Sequence, residues 1–137
     1  MRAKARTIDA NVILRFLLND NPSQAERCSQ LLQRVESGAE QVFLPDLVMA
    51  EVVWTLEKFY RQPKARIREL LLPILLLRGM RLSSKSVARK ALDWYVEKNI
   101  DWTDAFVAAK MASGNRVEIY SYDRHFDRLL EIKRIEP

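Results

Sequence analysis

The sequence has 137 residues and a mass of 16.0 kDa, so we expect one domain over residues 1–137. Its 48% hydrophobic and 30% charged residues, with only three glycines, exclude disordered and collagen-like chains. The net charge of +5 favours a polyanionic partner such as nucleic acid.

Two absences narrow the class of protein further. Cys28 is the one cysteine, which excludes an internal disulfide and fits a reducing, cytoplasmic location. No apolar run approaches the roughly 20 residues that a transmembrane helix needs. We therefore expect a cytoplasmic protein with no membrane partner.

The first half of the chain predicts two strands and three helices. The strands are expected at residues 5–8 and 41–44, and the helices at residues 11–18, 22–37 and 46–60. The second helix is the best marked, because Asn21 can cap it, Pro22 suits its first position and Gly38 can stop it. The third helix is apolar around most of its circumference, so we expect it to be buried on several sides, partly by another subunit.

The second half predicts a similar alternation. Helices are expected at residues 61–77, 84–98, 101–113 and 124–130, and strands at residues 80–82, 117–120 and 132–135. Pro73 should kink or split the first of these helices. Strands that alternate with helices of this length predict an α/β fold, a parallel sheet flanked by helices.

Two acidic residues fall at predicted strand ends. Asp9 follows the first strand and Asp123 follows the fourth. Ligands of such folds bind outside the carboxyl ends of the strands, so these two residues could be neighbours in space.

Glu51 stands out because of its apolar surroundings. On a helix its neighbours include Leu47 one turn before and Trp54 one turn after. We therefore expect its carboxylate to be poorly hydrated and to need a partner. That partner is either a bound cation or an Arg across a helix interface.

Asp101 and Asp104 lie three residues apart at the start of a predicted helix. Asp101 has the position of an N-cap, and an acidic first turn complements the helix dipole. We favour the capping role for Asp101. Asp104 is the better candidate for a functional site.

Asp9, Glu51, Asp104 and Asp123 together predict a metal site. Carboxylates gathered within several ångströms repel one another unless a cation lies among them. The chain has one His and one Cys, and an all-oxygen site selects Mg²⁺ or Mn²⁺ over zinc. Metal bound to carboxylates and phosphate suits phosphodiester hydrolysis.

Four segments resemble, in order and spacing, the four conserved blocks of PIN domains, and most of all the VapC-type toxins of toxin-antitoxin pairs. The segments are residues 7–14, 49–56, 101–109 and 120–123. The resemblance implies a three-layer α/β/α sandwich with a central parallel sheet. It also implies a Mg²⁺-dependent endoribonuclease that acts as the toxin of a type II toxin-antitoxin system.

The resemblance also implies roles for individual residues. The acidic metal-binding and catalytic quartet corresponds to Asp9, Glu51, Asp104 and Asp123. Supporting positions correspond to Asn11, beside the first aspartate, to Ser121, whose hydroxyl could orient a carboxylate or water, and to Asp101. The family further implies an RNA substrate, a homodimer, and an antitoxin that inserts a segment into the active-site groove.

Four basic residues at the start of the predicted helix over residues 61–77 form a candidate RNA-binding track, although a solvated helix face is an equal explanation. These residues are Arg61, Lys64, Arg66 and Arg68. His125 could touch RNA, but a lone His in a basic segment is more often solvated. We expect Trp94 and Tyr95 in the core and Cys28 to behave as a small hydrophobe.

Two other classes compete with the nuclease interpretation. Haloacid-dehalogenase-like phosphatases need Asp-x-Asp after the first strand, where this chain has Asn11, and the residue set of response-regulator receivers is not assembled. A non-catalytic basic α/β module that binds nucleic acid or a protein partner remains the alternative, with its acids used only in capping and ion pairs.

Overall fold

A computed structural model describes residues 4–137. The chain divides into two compact units, the residues up to Lys85 and Ser86–Pro137. The single-domain interpretation stays a prediction. Within residues 4–137, no helix is long and apolar enough to cross a membrane.

Three short parallel strands form the sheet of the first unit. They are β1 (Arg6–Thr7), β2 (Val42–Phe43) and β3 (Met80–Arg81), in the spatial order β1-β2-β3. Val42 pairs with Arg6 on one side and with Met80 on the other. Parallel pairing requires a crossover between successive strands, and the helices of this unit supply it.

Four α-helices belong to the first unit. They are α1 (Ala10–Leu18), α2 (Pro22–Ser37), α3 (Asp46–Trp54) and α4 (Lys64–Leu75). The predicted ends of α2 are confirmed, because the Asn21 side chain accepts from the backbone N–H of Gln24 and Gly38 adopts φ of 82°. That left-handed conformation suits a glycine.

The third helix differs from the continuous predicted helix over residues 46–60. After Trp54 it widens into a π-helical turn, Thr55–Phe59. Met49, Val52, Val53 and Leu56 are buried, whereas Leu47 (85%), Trp54 (62%) and Phe59 (72%) are exposed. The expected burial on several sides is therefore found on one side of the helix only.

Helix α4 is shorter than predicted and is not split. Arg61 adopts φ of 53° and Pro63 caps the helix, so α4 begins at Lys64. The helix continues through Pro73 to Leu75. Pro73 removes the hydrogen bond that its N–H would donate to the Glu69 carbonyl, but the helix ends two residues later, so little of it follows the proline.

Gly79 lies where the chain packs too closely for a side chain. A Cβ added there would meet the Glu40 carbonyl oxygen at 2.1 Å and the Val35 carbonyl oxygen at 2.9 Å. The Gly79 N–H donates to the Val35 carbonyl at 2.8 Å, and its carbonyl accepts from Val42 at 2.9 Å. Gly79 thereby joins the end of α2 to strand β2.

The second unit combines two helices with two parallel strands. Its elements are α5 (Lys85–Glu97), α6 (Trp102–Ser113), β4 (Glu118–Tyr120), a 3-10 helix (Arg124–Arg128) and β5 (Lys133–Ile135). Strand β4 pairs with β5 in parallel, with Tyr120 opposite Ile135. Trp94 and Tyr95 are buried, as predicted. The predicted alternation of parallel strands and helices is thus confirmed in both units.

Candidate metal centre

Two carboxylates and one imidazole come together in the second unit. Asp104 projects from the first turn of α6, Asp123 follows strand β4, and His125 lies in the 3-10 helix. One ligand atom of each residue lies within 4.8 Å of the others. We call these three residues the Asp-Asp-His cluster.

Hydrogen bonds fix the loop that carries Asp123. Its backbone N–H donates to Ser121 Oγ at 2.9 Å, and Asp123 Oδ1 accepts from the backbone N–H of His125 at 2.9 Å. The Ser121 N–H donates to the carbonyl of Ile135, next to strand β4. The Ser121 hydroxyl therefore acts on the backbone of Asp123, and its orienting of a carboxylate or a water stays a prediction.

Arg134 anchors the same loop from strand β5. Its guanidinium donates to the Ser121 carbonyl at 3.2 Å, to Asp127 at 3.0 Å and to Glu136 at 3.0 Å. Only 13% of this side chain is exposed. A guanidinium with several fixed acceptors loses little further freedom, so Arg134 holds the loop in one position.

Asp104 and Asp123 have opposite pKa shifts. Partial burial, a hydrogen bond with the Asp123 side chain, and the charges of Asp123 and Asp101 raise the pKa of Asp104 to about 6. The hydrogen bond from the backbone N–H of His125 is the main cause that lowers the pKa of Asp123. Below about pH 6, one proton is therefore held on Asp104 and is donated to the Asp123 carboxylate.

This donor set fits a divalent cation. Two carboxylates that repel each other in the absence of a cation are stabilised in their ionised forms when a cation lies between them. Carboxylate oxygens are the ligands that Mg²⁺ and Mn²⁺ accept. The Asp104 and Asp123 side chains are partly open to solvent, which gives an ion and a phosphate group access.

The predicted N-cap position of Asp101 is confirmed, but its side chain does not cap the helix. Asp101 occupies the N-cap position of α6 with extended backbone, but its side chain accepts no capping hydrogen bond. Its exposed carboxylate instead contributes negative charge that raises the pKa of Asp104. Asp101 thus acts on the cluster through its charge.

The other predicted metal ligands belong to the first unit. Asp9 follows β1 at the N-cap position of α1, and its exposed side chain makes no capping hydrogen bond. Asn11 lies on α1 and lines a groove with Arg15 and Arg27. No hydrogen bond joins the side chains of Asn11 and Asp9 in the described chain. That Asp9 and Glu51 converge with the cluster stays a prediction.

Glu51 does not have the environment that its sequence neighbours indicate. Its side chain on α3 is exposed, and no cationic residue among residues 4–137 forms an ion pair with it. The expectation of a poorly hydrated carboxylate is wrong, because the apolar side chains Leu47 and Trp54 beside it are themselves exposed.

The candidate RNA-binding track is split by its local contacts. Arg61 and Arg66 are exposed, while Lys64 and Arg68 are partly buried. Arg66 is paired with Glu69 at 3.1 Å, three residues along α4. Arg61 precedes the helix, so the four residues do not form one continuous helix face.

Sequence reasoning missed three residues around Asp123. His125 is exposed, as expected, but its Nδ1 also lies 3.3 Å from Asp123 Oδ1. Tyr120 and Tyr122 flank Ser121 and are 75% and 70% exposed. The i to i+2 spacing of two tyrosines beside a candidate ligand was the available signal, because residues two apart share one side of an extended segment.

Comparison with known proteins gives two findings. The family model described as PIN domain matches residues 7–131. The VapC ribonuclease of Aquifex aeolicus (strain VF5) is 25% identical to this chain over 124 residues, which cover 90% of this chain and 91% of that protein. Both findings confirm the resemblance seen in the four sequence segments, and the family match confirms the predicted α/β fold class.

Proposed function

The chain belongs to the PIN-domain family, and from this premise we propose that it is a metal-dependent endoribonuclease, the toxin of a type II toxin-antitoxin pair. The observation that carries the proposal is the approach of Asp104, Asp123 and His125 to within 4.8 Å. The similarity to a VapC ribonuclease supports RNA as the substrate.

The residues that would hold the ion are Asp104 and Asp123, with Asp9 and Glu51 completing the predicted quartet. A bound Mg²⁺ or Mn²⁺ supplies charge stabilisation at a phosphate and a more acidic water. The protein's part is to place the carboxylates. Ser121 fixes the backbone of Asp123, and the first turn of α6 presents Asp104, whose proton must leave before an ion can bind.

The surface beside the cluster suits unpaired RNA. Tyr120 and Tyr122 offer exposed aromatic rings on which bases can stack. The surplus of 23 basic over 18 acidic residues favours the phosphate backbone. We assign Arg61, Lys64, Arg66 and Arg68 to the same proposal as phosphate contacts.

Protein partners belong to this proposal as well. An antitoxin and a second copy of the chain both require an apolar surface, and α3 with its π-helical turn exposes Leu47, Trp54 and Phe59. Apolar patches of this kind mark interaction sites. A toxin that cleaves cellular RNA and is restrained by an antitoxin acts in the cytoplasm.

The test is metal-dependent cleavage of total RNA with mapped products. The purified protein should cut RNA in Mg²⁺ or Mn²⁺ and should stop when a chelator is added. Asp104→Asn and Asp123→Asn should each reduce the rate at least about 100-fold, because each removes a charge that holds the ion. Asp9→Asn and Glu51→Gln should do the same if the predicted quartet is correct.

Glu131→Gln is the matched control. Glu131 is an exposed acid of the same unit and lies outside the Asp-Asp-His cluster, so its loss changes the net charge equally. Cleavage at the parental rate in each of the four single-site variants would refute the assignment of these acids to the metal site. A protein that binds RNA without cutting it and shows no saturable metal binding would be the non-catalytic module.

A further inference from the structure

We propose that His125 is a ligand of the divalent ion in the Asp-Asp-His cluster and that it makes the site prefer Mn²⁺ to Mg²⁺. This inference rests on the metal site of the proposed function. It adds a nitrogen ligand to a site that the sequence predicts to be all oxygen.

The distances allow a shared ion. Ligand atoms about 2.1 Å from one ion lie at most about 4.2 Å apart. The ligand atoms of His125, Asp104 and Asp123 already lie within 4.8 Å of one another. An adjustment of well under 1 Å per side chain would bring all three to one ion.

The backbone keeps the imidazole close to the carboxylates. The His125 N–H is bonded to Asp123 Oδ1, and the next residue, Phe126, is buried and anchors the 3-10 helix. The imidazole itself is 46% exposed and Asp123 is 41% exposed. An ion pair between groups this exposed contributes at most about 1 kcal/mol to stability. The His125–Asp123 ion pair therefore does little to explain why the imidazole lies beside the two carboxylates.

The nitrogen ligand sets the preference between metals. Mg²⁺ is a hard cation that takes oxygen ligands, and imidazole is better suited to first-row transition metals. Mn²⁺ accepts carboxylates as readily as Mg²⁺ does and also takes a nitrogen. Two carboxylates and one imidazole therefore favour Mn²⁺.

The test uses full-length protein without a histidine tag. His125 is the only histidine of the chain, so any imidazole nitrogen detected on bound Mn²⁺ belongs to it. Pulsed electron paramagnetic resonance should show nitrogen coupling to Mn²⁺ in the parent protein. His125→Asn should still bind Mn²⁺ through its carboxylates but should lose this coupling.

Calorimetric titration of each metal alone gives the second readout. The parent protein should bind Mn²⁺ at least 10-fold more tightly than Mg²⁺, and His125→Asn should reduce this ratio about 10-fold with little change in Mg²⁺ affinity. Glu131→Gln should leave the ratio of the two affinities unchanged, and Asp104→Asn should weaken the binding of both metals.

The outcomes separate the two proposals. Bound Mn²⁺ without nitrogen coupling in the parent protein, or coupling that persists in His125→Asn, overturns the role of His125 and leaves the nuclease proposal intact. Failure of the parent protein to bind either metal overturns both.

Discussion

Below about pH 6, Asp104 donates a hydrogen bond to Asp123, so two acids that would otherwise repel each other share one proton. This arrangement costs stability when the proton is lost and no cation replaces it. The Asp104–Asp123 pair therefore favours ion binding and lowers the stability of the metal-free fold, as functional sites often do.

The first prediction concerns the metal-free stability of Asp104→Asn. The pKa of Asp104 is about 6 in the folded chain, above its ordinary value of 3.8, so its charged form opposes folding. This penalty is full above pH 6 and disappears as the pH falls towards 4. An asparagine can donate to Asp123 without carrying a charge.

We expect Asp104→Asn to raise the free energy of unfolding at pH 7.5 by roughly 1 kcal/mol, after allowance for solvent screening at this partly buried site. The gain should vanish near pH 4. Urea denaturation in chelator at several pH values measures it. The lowered pKa of Asp123 acts in the opposite sense. It stabilises the fold at pH values above the pKa of Asp123 in the unfolded chain, so it does not produce this gain. If Asp104→Asn is less stable than the parent at pH 7.5, the raised pKa assigned to Asp104 is contradicted.

The second prediction concerns Ser121, whose hydroxyl accepts from the backbone of Asp123. Ser121→Ala should weaken metal binding about 10-fold, because residues that orient a ligand typically contribute that much. Ser121→Thr keeps the hydroxyl and should bind nearly as well as the parent. Calorimetry measures both variants. An equal loss of metal affinity in Ser121→Ala and Ser121→Thr would indicate a packing defect rather than the loss of the hydrogen bond.

The third prediction concerns the exposed tyrosines. Tyr122→Ala should weaken binding of a short single-stranded RNA about 10-fold, as expected for the loss of one stacking contact. Tyr122→Phe keeps the ring and should retain the affinity. Leu130→Ala removes a comparably exposed apolar side chain outside the loop and serves as control. Binding in chelator, measured by fluorescence anisotropy, separates this contact from catalysis. If Tyr122→Ala and Leu130→Ala bind alike, stacking is not the contact.

The fourth prediction concerns the close approach at Gly79. Gly79→Ala should lower the free energy of unfolding by about 2 kcal/mol or more, because the new methyl group would meet two backbone carbonyls. Gly114→Ala is the matched control, since its Cβ would meet neighbouring atoms at 3.7 Å, an ordinary contact distance. That variant should be neutral or slightly stabilised. Chemical denaturation tests both, and similar losses would contradict the close packing at Gly79.

Local signals predicted most of the elements of this chain. Asn21, Pro22 and Gly38 define the ends of α2 because each acts through the backbone next to it. The π-helical turn after Trp54 was not predictable in this way, since α3 is apolar on all sides and its pattern indicates no preferred face. The burial of Glu51 was mispredicted for the same reason.

The candidate site was only partly predictable. Asp104 and Asp123 were found from their positions at a helix start and a strand end, which are local features. The place of His125 depends on a hydrogen bond between its own N–H and Asp123, and a lone histidine carries no pattern that reveals such a bond. Asp101 has the residue type and position of a cap, but its side chain makes no capping bond.

Arg134 and strand β5 lie at positions 133–135, yet they hold the loop of Asp123. A substitution that removes the Arg134 guanidinium would spare every proposed metal ligand and would still free the loop that presents Asp123. We therefore expect mutations that abolish the proposed activity to be found in the codon of Arg134 as well as in the codons of the acids.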